Sequence, residues 1–121
     1  MEPAGKGWCE MKNADLFARD DLEVLSEGNA DAPITGVYCC DLLSIVMSKA
    51  FEGAAWVTVM ANINSIAVAS LRDIACIILA EQVMPDETVL AKAKEQGITV
   101  LLSRKPVFDT ALAVHQMLHN G

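Results

Sequence analysis

Three blocks of apolar residues dominate the second half of this chain: residues 55–60 (AWVTVM), 75–79 (ACIIL) and 98–102 (ITVLL). Each has the length of a strand. Continuous rather than alternating apolarity marks strands that bury both faces, the pattern of a parallel sheet covered by helices on two sides. Segments with helical spacing lie between and after them. Asn62 is placed to cap a helix over 63–73, with Ile66, Ala67, Ala69, Ser70 and Ile74 on its apolar face. Pro85, followed by Asp86 and Glu87, opens a helix that runs to Gln96, where Gly97 supplies a left-handed stop. Pro106 opens the last helix, which carries Val107, Ala111, Val114 and Leu118 on one side. The order strand–helix, three times over, requires parallel strands joined by right-handed crossovers.

The first half extends the same plan. Asn13 is placed to cap a short helix over 14–19. Residues 22–25 (LEVL) alternate as a half-buried strand does, and the turn residues Gly28, Asn29, Asp31 and Pro33 follow. Residues 34–39 (ITGVYC) form a further strand in which Gly36 marks a bulge or a close backbone approach. Asp41 then caps a helix through Lys49. The expectation is one α/β domain over 13–121: a three-layer arrangement with a mostly parallel sheet of about five strands and flanking helices. Residues 1–12, with Trp8, form an N-terminal arm without periodicity.

Composition excludes several functions. Sixteen acids against nine bases give a net charge of −7. The bases are scattered, so no nucleic-acid or anionic-membrane partner is expected. The longest apolar stretch is too short to span a bilayer, and residues 1–13 lack the apolar core of a signal peptide. The four cysteines form no C-x-x-C pair, which suits a reducing cytoplasm. Cys76, inside an apolar block, reads as a small buried hydrophobe.

Catalytic signals are few. There is no Walker loop, dinucleotide fingerprint or nucleophile elbow. His115 and His119 share a face of the last helix, but two ligands do not complete a metal site. Cys39 and Cys40 precede a helix start that favours thiolate, yet Asp41 opposes it. No cofactor and no catalytic residue is expected. The better candidates are the carboxyl ends of the parallel strands, where ligands of open α/β sheets settle. Cys40, Asp41 and Ser44 follow one strand, Asn62 and Asn64 another, and Ser103, Arg104 and Thr110 a third. Polar groups beside helix starts suit a phosphate or carboxylate.

Residues 34–44 (ITGVYCCDLLS), then Gly53, Trp56-Val57-Thr58-Val59, Asn62-Ile63, Ala67-Val68-Ala69, Ile77-Ile78, Pro85, Gly97-Ile98, Phe108 and Ala111 carry a resemblance. Over about residues 14–118 the chain resembles the DRTGG-type domains. More closely, it is similar to the small stand-alone proteins of that group found in anaerobic bacteria beside iron-only hydrogenase genes, and to the N-terminal domain of HPr kinase. The namesake motif falls after strand 75–79, where this chain has Ala80-Glu81-Gln82-Val83, with neither a glycine pair nor a basic residue. The kinase's phosphate loop belongs to a different domain, so the resemblance implies no kinase activity.

The N-terminal domain of the murein ligases, which holds a uridine nucleotide, is similar too. Ile34, Gly36, Val37, Asp41 and Ser44 occupy the comparable stretch, while Cys39 and Cys40 stand where that family has Ser and Arg. Together these readings imply a regulatory or ligand-sensing module for a nucleotide or other anionic metabolite. The alternative is an interaction or assembly protein, hydrogenase-associated, with a protein partner and no small ligand. A homodimer is compatible with either.

Overall fold

The computed structural model describes residues 10–120. The expected N-terminal arm, with Trp8 and Cys9, falls almost wholly outside them. Five strands form one sheet: β1 (Leu22–Ser26), β2 (Gly36–Cys39), β3 (Ala54–Thr58), β4 (Cys76–Leu79) and β5 (Val100–Ser103). Their order across the sheet is β1-β5-β4-β3-β2. The pairs β2–β3, β3–β4 and β4–β5 are parallel, and β1 runs antiparallel to β5 with a bulge between Val24 and Ser26. The helices are α1 (Asn13–Phe17), α2 (Leu43–Lys49), α3 (Ile63–Leu71), α4 (Glu87–Gln96) and α5 (Val107–Asn120).

The strand order dictates the layers. β2, β3, β4 and β5 follow one another across the sheet, so right-handed crossovers put α2, α3 and α4 on the same face. The core confirms this residue by residue. Trp56, Ile77, Leu79 and Val100 point to one side and pack with Val46, Ile66, Ala69, Val89 and Ala93 of those helices. Ala55, Val57, Cys76, Ile78 and Leu101 point to the other, where Leu16 of α1 and Val114 and Leu118 of α5 cover them. Every residue of β3 and β4 is buried, as unbroken apolarity requires.

Several local expectations change. Asn13 is not a cap: it is the first residue of α1, fully buried, and the Lys12 backbone N–H is met instead by Asp15 Oδ2 at 2.9 Å. The Asn13 amide donates to Asn29 O (2.9 Å), Ala75 O (2.8 Å) and Thr99 Oγ1 (3.1 Å), tying α1 to the starts of β4 and β5. Gly36 marks no bulge, since β2 and β3 stay in register. A Cβ there would stand 3.0 Å from the Phe51 ring, so the close approach is that of a side chain. On α3 the buried residues are Ser65, Ile66 and Ala69, while Ala67 and Ser70 face outward. Pro85 stands one residue before the true cap of α4, Asp86, whose carboxylate accepts from Val89 N at 3.0 Å.

Candidate functional site at the strand tips

The carboxyl ends of β2, β3, β4 and β5 meet the start of antiparallel β1 at one end of the sheet, Leu22 lying opposite Ser103. All three clusters expected from the sequence lie along this end. Its chemistry is decided by which of their groups remain free.

Asp41 does not cap α2. The cap position is Leu42, which offers no side-chain hydrogen bond. Asp41 Oδ1 instead accepts from Thr58 Oγ1 (2.6 Å) and from Val59 N (3.0 Å), clamping the β2 loop over the tip of β3. A buried hydroxyl needs a partner, and Thr58 is fully buried. Trp56 Nε1 donates to Cys40 O at 2.8 Å and fixes the same loop from below. Ser44 is exposed in the first turn of α2.

Asn62 is the expected cap: its Oδ1 accepts from Asn64 N (2.9 Å) and Ser65 N (3.2 Å). The void beneath it, lined by Met60, Ile66, Leu79 and Val89 among others, holds only about 10 Å³, which is water-sized at most. Asn64 lines an outer groove between α3 and α4 with Ile63, Leu71 and Lys92. Neither hollow reaches Asp41 or Ser103.

Ser103 and Thr110 are both buried, with their hydroxyl oxygens 2.7 Å apart. Ser103 Oγ also accepts from Lys105 N at 3.1 Å, so the pair organises the turn into α5. Lys105 Nζ reaches Asp21 Oδ2 at 2.9 Å, and Arg19 grips the same carboxylate with two bonds of 2.6 and 2.7 Å. The Arg19 hydrogen bonds, with help from Lys105, hold the Asp21 carboxyl well below the usual carboxylate range against the opposing effect of burial. Arg104, by contrast, is exposed and has no carboxylate paired with it among the described residues.

The loop after β4 completes this end, and sequence reasoning missed its role. Glu81 and Gln82 are both left-handed, with φ of 60° each. Their N–H groups donate to Lys105 O (2.9 Å) and Ser103 O (3.0 Å), and Glu81 Oε2 accepts from Val107 N (3.1 Å) at the start of α5. Two backbone loops are thereby clasped together. The only sequence signal was the resemblance, which put a glycine pair in this loop. Glycine takes this conformation without strain.

The strand spacing sets the reach of the site. Asp41 and Arg104 stand at tips three strand spacings apart, about 14 Å at ~4.8 Å per strand. A lone phosphate cannot touch both, whereas an elongated molecule can.

Cysteines and histidines add little. The Cys39 thiol is pushed up by burial and then by Asp41, which lowers its thiolate fraction. Cys76 is fully buried, its thiol pushed up to about 12 by desolvation. The His115 and His119 rings lie 4.2 Å apart on α5. Among the described residues no group of three His, Cys, Asp or Glu side chains gathers around a metal position, and no helix is long and apolar enough to cross a membrane.

Comparison with known proteins bears on this geometry. The model of the DRTGG domain matches residues 20–117. Among solved structures, the fold is shared with the CBS and DRTGG domains of the regulatory region of a Clostridium perfringens pyrophosphatase, complexed with its activator diadenosine tetraphosphate. The TM-score is 0.66 at 17% identity, over 82% of this chain and 44% of that one. This chain thus spans less than half of that neighbour. No curated protein sequence matches significantly.

Proposed function

This chain belongs to the DRTGG domain family, and from that premise we propose that it is a regulatory module that senses a nucleotide or similar elongated anionic metabolite at its strand tips. A DRTGG domain is a regulatory rather than a catalytic unit. The observation that carries the ligand reading is Arg104: an exposed guanidinium at the tip of β5, unpaired among the described residues beside a Lys105 that shares the Asp21 carboxylate with Arg19. A guanidinium free of carboxylate offers forked hydrogen bonds to a phosphate.

The exposed side chains of Ser44, Asn64 and Gln82 supply neutral contacts along the same edge. Cys40, Asp41, Asn62, Ser103 and Thr110 then act as the framework of the site. Each has a polar atom bonded within these loops, Asp41 and Asn62 through Oδ1, and they hold the tips in place. The neighbouring pyrophosphatase region binds an elongated dinucleotide, which agrees with the ~14 Å reach worked out above. A cytoplasmic location fits a nucleotide ligand.

A thermal-shift series with ATP, diadenosine tetraphosphate and inorganic phosphate tests the proposal. A ligand at a hundred times its dissociation constant stabilises by about 2.7 kcal/mol. The expected result is a shift with a nucleotide, weak or absent with phosphate alone, and lost in Arg104→Ala. No shift with any nucleotide sinks the proposal.

One observation favours a second reading. Leu42, Ile45, Met47 and Phe51 are exposed around α2, beside β2, which is an open sheet edge without charged residues. Such an edge invites pairing with another chain. This supports an assembly role, through a homodimer or a protein partner, hydrogenase-associated in keeping with the resemblance. Light scattering on the wild type and Ile45→Glu distinguishes the two: a monomer in both removes the homodimer.

A further inference from the structure

α3 lacks the charged outer side that a helix on a sheet ordinarily has. Such a helix needs one apolar stripe, facing inward, with charged and polar residues opposite. α4 shows that pattern, with Glu87, Lys94 and Glu95 exposed. α3 (INSIAVASL) has no charged residue at all. Its inward residues are Ser65, Ile66 and Ala69, while Ile63, Ala67 and Leu71 are exposed, Leu71 to 67%. A helix without a charged side is the kind that lies covered all round.

The uncharged surface is wider than one helix. Across residues 42–71 the only charged residues are Lys49 and Glu52, which cancel, so the net charge of −7 lies elsewhere in the chain. The same stretch holds six of the nine large hydrophobic residues exposed among the described residues, so apolar surface and absence of charge coincide. A groove of about 330 Å³ runs between α3 and α4, lined by Ile63, Ala67, Ser70 and Leu71 with Lys92 and Gln96. No carboxylate lines it, and Lys92 Nζ is balanced by Glu95 at 3.4 Å. Contiguous apolar surface with a polar rim marks an interaction site.

From this pattern we infer that α3 packs against α3 of a second copy of the chain, about a two-fold axis that runs along this face. The contact rests on the assembly reading above and commits it to one face and one partner. Charge selects the partner. Two chains of net charge −7 repel each other wherever their acids meet, and on this face they do not meet. A strongly charged partner would lose hydration here without gaining an ion pair. The shape is also self-complementary, as a two-fold contact requires. α2, α3 and α4 lie side by side over consecutive strands, with α3 in the middle. Turned over about an axis along α3, each copy sets its α2 over the α3–α4 groove of the other. Ala67 then lies near the axis, where its small side chain lets the two helices approach closely.

Sedimentation equilibrium of the full chain across a concentration series, at low and at high salt, provides the test. The expected result is a monomer–dimer equilibrium that high salt strengthens, since salt screens the repulsion between two acidic bodies. Ala67→Glu and Ala67→Lys each set like charges face to face across the axis and should weaken dimerisation roughly tenfold or more. Position 67 is exposed, so neither change buries a charge within one chain. An equimolar mixture of the two variants should recover the dimer, with opposite charges opposed. Leu112→Glu, at an exposed apolar position on α5, and Cys39→Lys, on the β2 edge, should change nothing. A wild type that stays monomeric removes both this contact and the homodimer reading. A dimer that ignores both changes at Ala67, or one that the mixture does not restore, overturns this face alone. If Cys39→Lys then abolishes the dimer, the β2 edge is the contact instead.

Discussion

Gln82→Gly should stabilise this protein, although glycine in a loop ordinarily does the reverse. Gln82 has a φ of 60° directly after Glu81 at the same value. An L-residue in that region costs about 1–2 kcal/mol. Glycine removes the strain but adds unfolded-state entropy of about 0.4–1 kcal/mol. The exposed Gln82 side chain makes no hydrogen bond among the described residues, so its loss subtracts nothing further, and the net gain is about 0.5–1 kcal/mol. Gln82→Ala keeps the strain and should be neutral.

Glu81→Gly relieves the same strain but loses the carboxylate that accepts from Val107 N. A capping contact of that kind contributes about 1 kcal/mol, which cancels the gain. Urea unfolding with a common slope measures all three variants, and the gain at Gln82 corresponds to a midpoint rise of roughly 2–5 °C in a thermal scan. A loss of stability in Gln82→Gly, or equal effects at the two positions, would refute the reasoning from left-handed strain.

Four other outcomes follow from the hydrogen-bond pattern. Asn13→Ala removes a buried donor shared by three oxygens, of which Asn29 O and Thr99 Oγ1 keep another bond, and should cost about 1–3 kcal/mol, read by the same urea titration. Asp41→Ala should cost about 1–2 kcal/mol by releasing Thr58 and Val59, whereas Asp41→Asn keeps an acceptor and should lose less than half of that.

Asp21 is held below its unfolded value of about 3.9 by Arg19 and Lys105. Its contribution is therefore complete above pH ~4 and lost as pH falls through the depressed folded value. Asp21→Asn should flatten the acid limb of stability against pH, and an unchanged limb would remove the assignment. Cys76 should resist a thiol reagent at pH 8 in the folded protein and react only on unfolding, because its thiol is pushed up to about 12 and is fully enclosed.

The reading of the candidate site from sequence was mixed, and for a physical reason. A side chain's type indicates what it can bond, while its partner is set by residues far along the chain. Asn62 was legible because a cap bonds two and three residues ahead. Asp41 has the same chemistry, yet the buried hydroxyl seventeen residues later claimed it. Asn13 was drawn inward by carbonyls sixteen and sixty-two residues away. Glu81 had no local signature, since an acid after a strand reads as an ordinary loop residue.

What the sequence by itself determined was the alternation of doubly buried strands with amphipathic helices. Burial is non-directional and follows from local composition, so blocks such as 75–79 declare their layer without knowledge of their neighbours. What only the tertiary structure decided was the strand order, with β1 turned antiparallel against β5, and the pairing of polar groups at both ends of the sheet. Hydrogen bonds are short and directional. Their partners exist only once distant segments are brought within about 3 Å, and there the polar groups with a protein partner part from those without one.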